Sequence, residues 1–169
     1  NHVFQKMKRA VFLDRDGVIN NEEDHYYIYR TEDFFLNPGI IELLKFLKSK
    51  NFLLIVITNQ GGISKGEYTL DDVNKVHNKM HELLNKEGII LDEIYVCPHH
   101  TVNENCLCRK PDSVSIEKAI YRFNIDAGSS FFIGDKKTDM QAGEKAGLRT
   151  ILVKPNEDLT YLIEEINWD

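Results

Sequence analysis

The sequence predicts an α/β fold, a Rossmann-like, doubly wound parallel sheet with helices on both faces. Three observations carry that expectation. Short, almost unbroken apolar runs, such as Ala10-Val11-Phe12-Leu13 and residues 52–57, read as strands covered on both sides. Between them lie stretches with apolar residues at helical spacing. The length of 169 residues suits one domain, which at this size buries roughly 70% of its unfolded surface.

Residues 10–13 form the first predicted strand. Pro38 near the start, with Ile40, Ile41, Leu44 and Leu47 on one face, makes 38–50 a helix. Residues 52–57, rich in β-branched and aromatic side chains, are the second strand. Asn59-Gln60-Gly61-Gly62 is a loop. Thr69 and Asp72 mark a helix start, because a threonine oxygen there accepts from free backbone amides. Val73, Val76, Met80, Leu83 and Leu84 continue at helical spacing, and Gly88 ends the run. Residues 94–96 are a short strand. Residues 112–124 are a helix with Ile116, Ala119, Ile120 and Phe123 inward. A strand over 130–134 precedes a helix over 138–147, with Thr138 and Gln141 as its capping pair. Residues 151–153 are the last strand and 159–168 a final helix. With no repeat, low-complexity stretch or linker, residues 1–169 read as a single domain. Met7 is a candidate natural start, which makes residues 1–6 an expression remnant.

Lys plus Arg number 21 against 27 Asp plus Glu, a formal net charge of −6. Affinity for nucleic acid or anionic membranes rests on an excess of basic side chains, so neither is an expected partner. The run at 52–57 is too short to cross a bilayer, and residues 1–9 lack the apolar centre of a signal peptide. A cytoplasmic location is the expectation. The three cysteines all fall within residues 97–108, and an odd, clustered set favours a metal site over a disulfide framework.

In doubly wound folds, ligands bind beyond the carboxyl ends of the strands. Asp14-Arg15-Asp16-Gly17 follows the first predicted strand, Thr58-Asn59 the second, and Gly134-Asp135 the 130–134 strand, with Asp139 four residues on. Carboxylates packed together raise one another's pKa values unless a cation sits among them. A hard cation with oxygen ligands, Mg²⁺, suits such a cluster. Each piece alone is weak; a helix entry commonly carries an Asp against its dipole. Their combination, each directly after a strand, is specific.

These motifs, Phe12-Leu13-Asp14-Arg15-Asp16-Gly17, Thr58-Asn59, Lys110, and Gly134-Asp135 with Asp139, resemble those of the haloacid dehalogenase superfamily of phosphotransferases. The resemblance runs from residue 9 to about residue 154 and implies an aspartyl-phosphate route. Asp14 would attack phosphorus. Asp16 would protonate the leaving alcohol and then activate water. Mg²⁺ would be held by Asp14, the Asp16 carbonyl and Asp135, with Asp139 supporting it from behind. Thr58 and Lys110 would hold the phosphoryl oxygens. Arg15, Asn59, Gln60, Gly61, Arg109 and Lys136 would contact substrate. Only 43 residues separate Asp14 from Thr58, many of them in the 38–50 helix, and the gap from Asn59 to Arg109 is filled by a helix, a strand and the cysteine loop, so no cap domain and an open site are expected.

Cys97-Pro98-His99 and Cys106-Leu107-Cys108 offer three thiolates and an imidazole, a tetrahedral Zn²⁺ set. With only Val102 and Leu107 as aliphatic residues, the loop cannot order itself by burial; a structural zinc can order it. His100 competes with His99 on spacing. Together with Arg109-Lys110-Pro111, this loop is similar to that of the heptose bisphosphate phosphatases and the histidinol-phosphate phosphatases. The resemblance implies removal of the 7-phosphate of D-glycero-D-manno-heptose 1,7-bisphosphate, a step toward lipopolysaccharide. Histidinol phosphate is the alternative substrate; a polynucleotide 3′-phosphatase and a non-catalytic receiver or binding module are weaker readings. The expected partner is a small phosphorylated metabolite and the expected state a monomer. His77 and His81 read as a solvated helix flank, and Glu22-Glu23-Asp24 as a solvated run. Tyr26, Tyr27 and Tyr29 read as loop packing or a sugar platform, and Trp168 as packed on the body.

Overall fold

The computed structural model describes residues 5–169, so the expectation for residues 1–6 lies mostly outside the described residues. In chain order the elements are β1 (Ala10–Leu13), α1 (Ile40–Ser49), β2 (Leu53–Asn59), α2 (Leu70–Asn85), β3 (Glu93–Cys97), α3 (Val114–Phe123), β4 (Phe131–Gly134), α4 (Lys137–Lys145), β5 (Arg149–Leu152) and α5 (Leu162–Glu165). The strands form one sheet in the order β3-β2-β1-β4-β5, every pair parallel. The chain winds outward from β1 through β2 to β3, then crosses to β4 on the other side. The switch in winding direction falls beside β1.

Side chains of a strand alternate between the two faces of its sheet. Val11 and Leu13 of β1 join Leu54, Val56, Phe131 and Ile133 in one core, closed by Leu43, Leu44 and Leu47 of α1 and Val76, Met80 and Leu84 of α2. Ala10 and Phe12 point the other way, into a core with Ile55, Ile57 and Phe132, covered by Ile116 and Ala119 of α3 and Ala142 of α4. Both faces of the sheet are covered, which is why its strands read as unbroken apolar runs. Among the described residues, no helix is long and apolar enough to cross a membrane.

Several boundaries differ from the sequence reading. The Thr69–Asp72 capping box of α2 forms as expected, with Thr69 Oγ1 accepting from Asp72 N at 3.1 Å and Asp72 Oδ2 from Thr69 N at 2.9 Å. The Thr138–Gln141 pair does not cap α4. Its first turn is closed by Asp139, whose Oδ2 accepts from the backbone N–H groups of Asp135 and Lys136 at 3.2 and 3.1 Å. The final helix is a single turn, because the backbone at Ile166 is extended. That turn is held by tertiary packing. Trp168 is buried against Phe46, Phe52 and Phe131, and its indole N–H donates to Leu162 O at 3.1 Å.

Candidate active site

Asp14 and Asp135 leave the ends of β1 and β4, which are hydrogen-bonded neighbours. The Asp14 N–H donates to Ile133 O at 3.1 Å, which keeps the strands paired up to the first residue of the site. Asp14, Asp135 and Asp139 thus each present an oxygen, all within 4.8 Å of one another. The backbone must turn sharply after Asp14. Gly17 makes that possible with φ of +86°, and a Cβ there would collide with Asp135 Oδ2. Gly134 is equally constrained, because a Cβ would run into the Asp139 side chain.

Two lysines face this cluster. Lys110 is buried, and its Nζ lies 3.0 Å from Asp14 Oδ1, 2.7 Å from Asp139 Oδ1 and 2.9 Å from Ile57 O. Burial works against its charge, but Asp14 and Asp139 prevail and raise its pKa. Asn59 fixes the backbone that carries this lysine: its Oδ1 accepts from Lys110 N at 3.1 Å and its Nδ2 donates to Lys110 O at 3.3 Å. Lys136, at the start of α4, is also pushed up, with Asp14, Asp135 and Glu22 outweighing burial. Thr58, buried at the end of β2, accepts from Gln60 Nε2 at 2.8 Å.

Lys110 and Lys136, which face the cluster, also line an open cleft of about 1000 Å³, together with Asp16, Gln60, Arg109 and residues 22–27, among others. Glu22 is therefore not simply solvated: burial, then Asp16, raises its pKa. Tyr26 lines the cleft with its ring largely exposed, whereas Tyr29 stacks on Tyr68 at 5.2 Å. Arg15, expected at the substrate, is fully buried and faces away from the cleft. Its Nε and Nη2 donate to Asp16 Oδ1 at 3.1 and 2.7 Å, its Nη2 also reaches Ile28 O, and its Nη1 lies 3.2 Å from His77 Nε2. It therefore holds Asp16 in place of a ligand. His77 likewise departs from the solvated-flank reading, since it is buried beneath Arg15. Gln60 bridges Asp16 Oδ2, at 3.1 Å, and Thr58, and it accepts from the Tyr68 hydroxyl at 2.6 Å. Tyr68 was not singled out in the sequence. The signal was Gly62, where a Cβ would strike the Tyr68 ring.

Cys97 ends β3 beside Asn59, and His99, Cys106 and Cys108 fold back onto it. Cys97 Sγ lies 3.6 Å from Cys106 Sγ and 3.7 Å from His99 Nδ1, and Cys108 Sγ lies 3.3 Å from His99 Nδ1 and 2.7 Å from Cys97 Sγ. Tetrahedral ligands about 2.3 Å from a zinc stand roughly 3.8 Å apart; the Cys97–Cys106 and Cys97–His99 spacings are close to that, the Cys97–Cys108 contact is shorter, and three thiolates with one imidazole are a donor set zinc takes. His100 turns out of this cluster: its Nδ1 accepts from Val102 N at 3.1 Å. The loop reaches the cleft through Arg109, whose Nη1 donates to His99 O at 3.1 Å. A Cβ on Gly61 would press against Arg109 and His100, so glycine lets the two loops close together.

The carboxylate cluster passes a similar test for Mg²⁺. Asp135 Oδ1 is buried with no hydrogen-bond partner among the described residues. Burial, then the Asp14 carboxylate beside it, pushes Asp135 up to about 8. A hard divalent cation resolves both, because it supplies the missing partner and offsets the paired negative charges.

Comparison with known proteins decides the family. The chain is 41% identical to a D-glycero-beta-D-manno-heptose-1,7-bisphosphate 7-phosphatase of Pasteurella multocida, over 95% of this chain and 94% of that protein. The chain belongs to the heptose-1,7-bisphosphate 7-phosphatase family of HAD-like hydrolases. As a member of this family it is a phosphomonoesterase. A HAD-hydrolase-like family model matches residues 107–162. A D-glycero-alpha-D-manno-heptose-1,7-bisphosphate 7-phosphatase of Campylobacter jejuni is 43% identical, over 88% of this chain and 84% of that protein. Among solved structures, a D,D-heptose 1,7-bisphosphate phosphatase from B. bronchiseptica, complexed with magnesium and phosphate, superposes with a TM-score of 0.82. That match has 29% identity and covers 89% of this chain and 83% of the other. HAD phosphatases use Mg²⁺, and the carboxylates gathered here are suited to it.

Proposed function

We propose that this chain removes the 7-phosphate of D-glycero-D-manno-heptose 1,7-bisphosphate, with Asp14 as nucleophile and Asp16 as acid and base. The observation that carries the chemistry is the meeting of Asp14, Asp135 and Lys110 at the switch point beside β1. The substrate follows from relatives of the same name at 41% and 43% identity.

The site's residues divide the work. Asp14, oriented by Arg15 N at 2.9 Å and Lys110 Nζ at 3.0 Å, attacks phosphorus in line with the leaving alcohol. Asp16 gives its proton to the departing sugar oxygen, then takes one from the water that hydrolyses the aspartyl-phosphate. Thr58 and Lys110 bind the phosphoryl oxygens as their charge redistributes, and Lys136 adds positive charge at the rim. Bound at Asp14, Asp135 and the Asp16 carbonyl, Mg²⁺ would shield the charge between nucleophile and phosphate. Asp139 takes a different part: it closes the first turn of α4 and pairs with Lys110, so it holds the lysine and the turn in place. Arg109, Asn59, Gln60 and Gly61 form the cleft wall toward the sugar, and the zinc loop sets where Arg109 stands.

The test is kcat/KM for the two heptose bisphosphate anomers and for histidinol phosphate, a ratio that reports differential binding of transition states. The reading expects either heptose anomer to exceed histidinol phosphate by at least tenfold. Equal or reversed preference would remove the substrate while leaving the chemistry intact. Turnover by Asp14→Asn at the unaltered rate would remove the chemistry.

A further inference from the structure

The Asp16 carboxylate is held from both sides by groups that are themselves braced. On one side Arg15 Nε and Nη2 donate to Oδ1 at 3.1 and 2.7 Å, and Asn20 Nδ2 adds a third bond at 3.0 Å. On the other, Gln60 Nε2 donates to Oδ2 at 3.1 Å. Arg15 is fully buried, and its remaining Nη1 is met by His77 Nε2 at 3.2 Å from α2. Gln60 is buried as well, and its Oε1 is met by the Tyr68 hydroxyl at 2.6 Å.

The chemistry of these partners leaves little choice of roles. A guanidinium has donors only, so His77 accepts at Nε2 and is neutral with its proton on Nδ1. Without that acceptor, a buried Arg15 N–H has no partner, and the guanidinium gains a reason to rotate. A Gln oxygen accepts only, so Tyr68 donates, which turns the Gln60 amide with its nitrogen toward Asp16 and Thr58. Oδ1 of Asp16 already takes three donors, one more than its two lone pairs. Oδ2 takes one, and Asp16 lines the cleft. Proton exchange therefore belongs at Oδ2.

We propose that His77 and Tyr68 are positioning residues for the acid/base step, a clamp that acts through Arg15 and Gln60 to aim Asp16 Oδ2 at the reacting oxygen. This rests on Asp16 being the acid and base, and it adds residues that never touch substrate. In chain order the clamp draws on the loop after β1, the loop after β2 and the middle of α2. Helix α2 thus reaches the chemistry from beneath the sheet end without lining the cleft.

The experiment compares His77→Leu, His77→Gln and Tyr68→Phe with the parent and with Asp16→Asn, on the full Mg²⁺- and Zn²⁺-loaded chain. Two substrates separate the steps. A sugar phosphate needs a proton on its leaving oxygen; p-nitrophenyl phosphate does not. For His77→Leu and Tyr68→Phe, kcat on the sugar phosphate should fall at least tenfold with KM within about twofold. On p-nitrophenyl phosphate the pre-steady-state burst should persist while steady turnover slows, because only hydrolysis of the intermediate still needs Asp16. His77→Gln, which keeps an acceptor for Arg15, should recover most of the loss. Thermal melts establish that each variant is folded, and Tyr68→Phe, which keeps the ring, carries the test if His77→Leu is not. Folded variants with unaltered kcat, or a burst that disappears along with turnover, would overturn the clamp. If Asp16→Asn itself turned over at the parent rate, the acid/base reading would fall too; if it were inactive beside fully active clamp variants, the clamp alone would fall.

Discussion

Replacing Lys110 by Met tests how far one buried ammonium organises the site. Its Nζ sits 3.0 Å from Asp14 Oδ1 and 2.7 Å from Asp139 Oδ1. At an effective dielectric of about 20, each such pair is worth about 5–6 kcal/mol, and desolvation of the ions cancels much of it. Removing one partner of a buried pair leaves the others uncompensated and costs about 3–5 kcal/mol. At roughly 2–4 °C per kcal/mol for a chain of this size, the melting temperature should fall by about 6–20 °C. The loss should also depend on pH in a defined sense. Without the ammonium, three packed carboxylates lose their nearest positive charge, and one of them, Asp135, is already pushed up to about 8 by burial and then by Asp14. The folded variant then binds more protons than the unfolded one, and its stability grows as pH falls from 7 toward 5. The deficit against the parent should therefore shrink on acidification, and shrink again with added Mg²⁺, which restores positive charge. Turnover should drop about 10²–10³-fold even where stability recovers, because the phosphoryl oxygens lose their partner. The assay is thermal unfolding at both pH values, with and without Mg²⁺, beside steady-state kinetics. A melting temperature unchanged within 2 °C, or a deficit that widens on acidification, would refute the reasoning.

Three further outcomes are expected. Burial, then Arg15, lowers His77 from 6.5 to about 3, so stability is full above pH 6.5 and falls as the pH drops through the window between these values. The slope should approach about 1.4 kcal/mol per pH unit in urea melts, and His77→Gln should flatten it; identical slopes would contradict a buried neutral histidine. Freshly purified, reduced protein should contain one zinc per chain, and its removal should raise KM more than it lowers kcat, since Arg109 is tethered to His99 O. Absence of zinc by metal analysis would remove that role. Gly17→Ala should cost about 1–2 kcal/mol for the left-handed backbone. It should also weaken Mg²⁺ binding measured by calorimetry, because the new methyl displaces Asp135; unchanged Mg²⁺ affinity would show that Asp135 is not held where the site needs it.

The sequence made the sheet legible because both its faces are covered, so that strands stand out as apolar runs such as residues 53–57. The carboxylates were legible for a related reason: a doubly wound sheet places whatever follows each strand at one edge. Residues whose partners come from distant loops were harder to read. Arg15 sits between Asp14 and Asp16 in the loop after β1, and its direction is set by His77 and Ile28, which no spacing rule connects to it. His77 lies at the margin of an apolar helix face, and only the arrival of Arg15 from the β1 loop makes that margin interior. The α4 cap was misplaced because Thr138 and Gln141 match a capping pattern while Asp139, one residue on, has the better geometry. The last turn fell short of the expected helix because Trp168, anchored among three aromatic rings, pulls the chain out of helical register after Glu165.

The most direct test is to trap the phosphoryl group on the protein. Asp16→Asn, given p-nitrophenyl phosphate and Mg²⁺ and quenched in acid, should accumulate a species heavier by one phosphoryl group. Peptide mapping should place that group on Asp14. An unmodified chain, or a phosphoryl group mapped to any other side chain, would contradict the account.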